Sequence, residues 1–60
     1  MNPEEAFMQY AAHSSAVDHY RRLKEAEAEN SDEYYRLAER EAYHQWQAVY
    51  YRRFFKSPLA

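Results

Sequence analysis

No glycine occurs anywhere in these 60 residues, and that absence constrains the fold more than any motif the chain contains. Glycine enters positive-φ turns freely. Without it, tight two-residue strand hairpins, phosphate-cradling loops and dinucleotide-binding turns all lack their key residue. Val17 and Val49 are the only β-branched side chains, while Ala, Glu, Tyr and Arg dominate. That balance favours helix over strand, and the expected class is all-α.

A chain of this length buries only about 60% of the surface its unfolded form exposes, so its own core is marginal. Small domains usually compensate with disulfides, a structural metal or a partner chain. There is no cysteine, which removes disulfides and thiolate metal sites and leaves self-association as the leading expectation.

Eight Lys and Arg against ten Asp and Glu give a formal charge of −2, so no global field draws the chain to nucleic acid or anionic lipid. An aromatic content of 18% argues against disorder. The longest wholly apolar run, Ala48-Val49-Tyr50-Tyr51, is far short of the roughly 20 residues of a membrane span. No basic region followed by an apolar stretch opens the sequence, so no signal peptide is expected and the expected location is cytoplasmic.

Asn2-Pro3-Glu4-Glu5 reads as a helix start, with a capping side chain, a proline at the first helical position and carboxylates at the positive dipole end. Helix 1 is expected over about 3–29. Asn30-Ser31 is the one internal joint: Asn30 tolerates the left-handed conformation that ends a helix, and Ser31 can cap the next. Helix 2 is expected over about 32–56, stopped by Ser57-Pro58, with a short tail over 57–60. So short a link makes the helices antiparallel neighbours, a single-domain hairpin.

On a helical wheel, Ala6, Tyr10, His13, Val17 and Tyr20 form one stripe of helix 1, with Met8, Ala12, Ala16, His19, Leu23 and Ala26 beside it. The inner stripe of helix 2 reads as Tyr34, Tyr35, Leu37, Ala38, Ala42, Gln45, Trp46 and Val49. Folding at the joint sets Leu23 opposite Ala38, Val17 opposite His44, Tyr10 opposite Tyr51 and Tyr20 opposite Glu41. Glu4 and Glu5 then approach Arg52, Arg53 and Lys56. Tyr43, Tyr50 and Phe54 fall on a second apolar line that one hairpin seam cannot cover. Two hairpins dimerising into a four-helix bundle would cover it.

Little in the sequence carries catalytic chemistry. Glu41 and His44 have the Glu-x-x-His spacing of bundle metal sites, but no carboxylate of helix 1 stands opposite them, so no metal or cofactor is expected. His13, His19 and His44 are read as half-buried, hydrogen-bonded side chains that titrate near neutrality. No serine sits in a nucleophile motif, and the chain is expected to be non-enzymatic.

Tyr, Trp, Phe and Arg concentrate in the second half of helix 2, and these types dominate protein interface hot spots. Tyr43, Trp46, Tyr50, Tyr51, Arg53 and Phe54 are therefore the candidate interface, used for the homodimer and for an unidentified protein to which this chain acts as inhibitor, adaptor or regulatory subunit. The alternative is a small dimeric RNA- or DNA-binding regulator using Arg21, Arg22, Lys24 and the segment Tyr50–Lys56, whose aromatics could stack bases and whose cations could hold phosphates.

Overall fold

The computed structural model describes residues 1–55. Two helices, α1 (Pro3–Glu25) and α2 (Asp32–Arg52), lie antiparallel, with no strand among the described residues. The all-α hairpin follows from local chemistry. Asn2 adopts an extended backbone and its Oδ1 accepts the Glu4 N–H at 2.7 Å, with Pro3 next and Glu4 and Glu5 in the first turn. Ser31 repeats the device, its Oγ accepting the Tyr34 N–H at 3.1 Å ahead of Asp32 and Glu33. Among the described residues, Asn30 alone has a positive φ, 69°. Its Oδ1 also accepts the Tyr35 hydroxyl at 2.6 Å, so one residue serves the turn and ties it to α2. Ser31→Ala should cost about 1 kcal/mol, read as a lower urea midpoint with unchanged slope; a shift near zero would mean that the cap does not hold α2.

Helix α1 ends at Glu25, four residues before the expected Glu29. The carboxylates of Glu25, Glu27 and Glu29 would stand at the negative end of a longer helix, which the dipole opposes. The chain instead closes with single-turn bonds, Ala26 N–H to Leu23 O at 3.2 Å and Glu27 N–H to Lys24 O at 3.0 Å. Helix α2 gives way after Arg52 to a tighter turn, with Phe54 N–H on Tyr51 O at 3.1 Å and Phe55 N–H on Arg52 O at 3.3 Å. The expected stop before Ser57-Pro58, residue Lys56 and the tail over 57–60 lie outside the described residues.

The seam follows a heptad pattern rather than the widest apolar stripe. From α1 it takes Ala6, Tyr10, His13, Val17, Tyr20 and Lys24; from α2 it takes Tyr34, Leu37, Glu41, His44, Ala48 and Tyr51, continued by Phe55 in the turn beyond it, all buried or half-buried. Steps of three and four alternate on both helices, the spacing of left-handed coiled-coil packing. This corrects the inner stripe expected for α2. Tyr34, Leu37 and Ala38 do face inward, but Tyr35, Trp46 and Val49 are 51%, 73% and 51% exposed, and Ala42 and Gln45 are exposed as well. On α1, Met8 and Leu23 also face out.

The register differs from simple folding at the joint by about one turn. Tyr51 lies over His13 (5.7 Å, 8° between planes) and His44 over Tyr20 (5.6 Å, 10°). The longer link between Glu25 and Asp32 permits that shift, and it sets Glu41 beside Arg21 and Lys24 rather than opposite Tyr20. At the open end Phe7, Tyr10 and Phe55 make edge-on contacts at 5.3 Å. Among the described residues, Glu4 and Glu5 form no ion pair with Arg52 or Arg53.

The apolar core is small. Ala6, Val17, Leu37 and Ala48 are the buried hydrophobic residues, and no large side chain among the described residues is fully enclosed.

Candidate functional site

Polar groups occupy the middle of the seam. Glu41 is a buried carboxylate with Arg21 Nε donating to its Oε2 at 3.2 Å and the Lys24 ammonium 2.8 Å from its Oε1. The Lys24 contact is a close ion pair without a straight hydrogen bond, since Oε1 has no aligned donor. Lys24 also lies 5.6 Å from the centre of the Tyr34 ring. The Lys24 ammonium, and secondarily Arg21, hold the Glu41 carboxyl below its ordinary value against the opposing effect of burial. Reciprocally, Glu41 raises the Lys24 pKa.

One turn further, His13 Nδ1 and His44 Nδ1 approach to 2.8 Å, a contact in which one neutral ring donates and the other accepts. Tyr51 and Tyr20 cover the outer faces of the two rings. Burial, and then the neighbouring His44, lower the His13 pKa from its ordinary 6.5. His19 is the exception to the half-buried reading and is exposed, with its ring edge against Tyr20.

Both oxygens of Glu41 face cations and the Nδ1 of His44 faces His13, so this spacing serves the seam. Among the described residues, no three or more His, Cys, Asp or Glu side chains converge as a metal site would require.

The candidate interface residues separate into two settings. Tyr51 is turned into the seam against His13. Tyr43, Trp46 and Tyr50 are exposed at 57%, 73% and 46%, Arg53 is exposed, and Phe54 is half-buried. Tyr43, Trp46 and Tyr50 lie on the outward side of α2, with Arg53 and Phe54 just beyond its end. Tyr50 meets Phe54 edge-on at 5.3 Å, and the Arg53 guanidinium stands 5.4 Å from the Tyr50 ring. Such contacts hold large rings in place ahead of binding, which reduces the ordering cost of an interface.

A second feature lies between the helices and leaves no signature along the chain. On one side of the hairpin, Tyr10, Ser14 and Val17 of α1 and Gln45, Ala48 and Val49 of α2 line an open groove of about 250 Å³, together with Asp18 and Arg52. Small side chains at Ser14 and Ala48 keep it open. A shelf formed by Ala42, Gln45, Trp46 and Val49 adjoins it and shares two of its residues. Of the basic cluster in α1, Arg21 and Lys24 are engaged with Glu41, and Arg22 is exposed. Among the described residues, no helix is long and apolar enough to cross a membrane.

No protein-family model, curated protein or solved structure matches this chain.

Proposed function

We propose that this chain is a non-enzymatic helical-hairpin protein that works by association: it pairs with itself toward a four-helix bundle and uses its aromatic and Arg surface to bind and regulate another protein in the cytoplasm. The observation that carries this reading is the inversion of its apolar distribution. Trp46, Tyr43, Tyr50, Tyr35, Val49, Phe7 and Met8 stand about half exposed or more, while among the described residues the buried apolar ones are two alanines, one valine and one leucine. Where such side chains adjoin, as Trp46 with Val49 and Tyr50 with Phe54, an exposed apolar patch marks an interaction site. Its residue types are those that concentrate binding energy.

The nucleic-acid alternative draws less support from the geometry. Arg21 and Lys24 would have to leave Glu41 before they could hold phosphates, and that would uncover a buried carboxylate.

Trp46→Ala should keep helicity by circular dichroism and weaken self-association about tenfold or more, as truncation of an aromatic hot spot does. The readout is mass by light scattering across a dilution series. A wild-type chain that is monomeric at every concentration would refute the self-association half of this reading. Steeply salt-dependent binding to RNA or DNA would favour the alternative, because phosphate contacts release counterions.

A further inference from the structure

We infer that the groove lined by Val17, Ala48 and Val49 is the seat of a second copy of this chain, docked antiparallel about a two-fold axis, with Asp18 of each copy paired to Arg52 of the other. This rests on the self-association proposed above and assigns it a face. The groove has opposite charges at its two ends. In an antiparallel hairpin the C-terminal end of α2 runs beside the start of α1, so Arg52 lies toward the open end with Tyr10, and Asp18 lies toward the joint with Gln45. Neither Asp18 nor Arg52 forms an ion pair among the described residues.

A two-fold axis lying in the interface across the two helices, passing near Ser14 and Ala48, exchanges the ends of the groove. It therefore brings Asp18 of one copy to the groove end that holds Arg52 of the other, twice over. Self-complementarity of this kind is what an isologous interface demands. A copy docked parallel would set Asp18 near Asp18 and Arg52 near Arg52. The charge arrangement thus selects the antiparallel dimer, since charge juxtaposition sets register and orientation.

The floor and rim fit the same occupant. Small side chains at Ser14 and Ala48 let another helix approach closely, as knobs entering holes require. Trp46 and Val49, 73% and 51% exposed, stand on the shelf that continues the groove and would be covered by the second copy. Tyr43, Tyr50 and Phe54 lie toward the other side of α2, so this dimer leaves part of the aromatic surface for a different protein.

Asp18→Arg and Arg52→Glu provide the test, with helicity verified for each. Each variant alone places like charges at both ends of the dimer, and each should associate about tenfold or more weakly than the wild type. Mixed in equal amounts, they should recover association as a heterodimer. At one end of that heterodimer the introduced arginine meets the introduced glutamate, and at the other the unaltered Arg52 of the first variant meets the unaltered Asp18 of the second. An effect inside one hairpin could not be repaired by mixing.

A wild-type chain that associates while both variants associate equally well would overturn this face and leave self-association standing, as would variants that weaken without recovery on mixing. A monomeric wild type would overturn both. Trp46 is the only tryptophan, which gives a second readout on the unaltered chain. Its emission should move to longer wavelength on dilution through the dissociation range, and emission unchanged across that range would also overturn the assignment.

Discussion

Glu41→Ala should destabilise the hairpin by about 1–3 kcal/mol, a large share of the stability available to so small a domain. Glu41 occupies a seam position and balances two cations. Removing it leaves Lys24 half-buried without its counter-ion, together with a gap between the helices. The effect falls below that of a fully enclosed pair because Arg21 is 49% exposed at its side chain and can turn into water. Glu41→Leu discriminates between charge and packing: it fills the heptad position with apolar volume and should recover most of the loss. Urea denaturation at fixed protein concentration measures both variants, since association would otherwise shift the midpoint. If Glu41→Ala is as stable as the wild type, the ion pair contributes nothing to the seam.

Acidification should unfold the chain in two stages that belong to different residues. His13 has a lowered pKa in the folded chain, so the unfolded chain takes up its proton first. Stability from this group is present above about 6.5 and is lost as pH falls below that value toward the lowered folded pKa. The groups facing His13 are His44, Tyr43 and Tyr51, and Arg40 approaches the neighbouring Tyr20 at 6.0 Å. No carboxylate among these stabilises an imidazolium. One proton can be accepted by the outward nitrogen of the donor ring while the Nδ1 contact survives. The cost of that proton is the burial of its charge beside His44 rather than loss of the contact.

The second stage belongs to Glu41, whose lowered pKa makes its contribution full above about 4.5 and lost as pH falls through the folded value. His13→Gln should abolish the stage that begins below pH 6.5 and leave the more acidic one, followed by helicity against pH. A single transition below about pH 4.5 in the wild type would refute the histidine assignment.

How much of this is legible along the chain depends on the range of the interactions concerned. Asn2-Pro3-Glu4-Glu5 and Asn30-Ser31-Asp32-Glu33 define their ends through contacts no more than a few residues long, and both caps form as their composition implies. The end of α1 is harder to read, because Glu25, Glu27 and Glu29 are individually good helix formers whose charges become unfavourable only when the dipole of a completed helix acts on them. On α1 the stripe Ala6, Tyr10, His13, Val17 and Tyr20 is the seam, whereas on α2 periodicity counted on apolar residues misplaces it, because Glu41 and His44 hold seam positions. Counting Tyr, His and paired charges as seam residues exposes the alternating three-and-four spacing. That Tyr43, Trp46, Tyr50 and Arg53 are exposed follows from wheel position, while the wheel lets Tyr51 face either way.

The sequence by itself determined that this chain is helical, where it turns, and that it carries more aromatic surface than two helices can hide. Those outcomes rest on backbone propensity, capping and composition, which act locally or not at all on geometry. Only the tertiary structure decided which face of α2 is inside. That helix has apolar residues on both sides, and the larger of them, Trp46, Tyr43 and Tyr50, stay outside, so apolar burial alone does not choose the inner face. The choice falls to the face that sets Glu41 against Arg21 and Lys24 and His44 against His13. Polar groups placed at the seam are costly when unmatched, and so they fix a register that apolar contacts would leave free. The face left outside, with Trp46, Tyr43 and Tyr50, is the surface through which this hairpin is proposed to act.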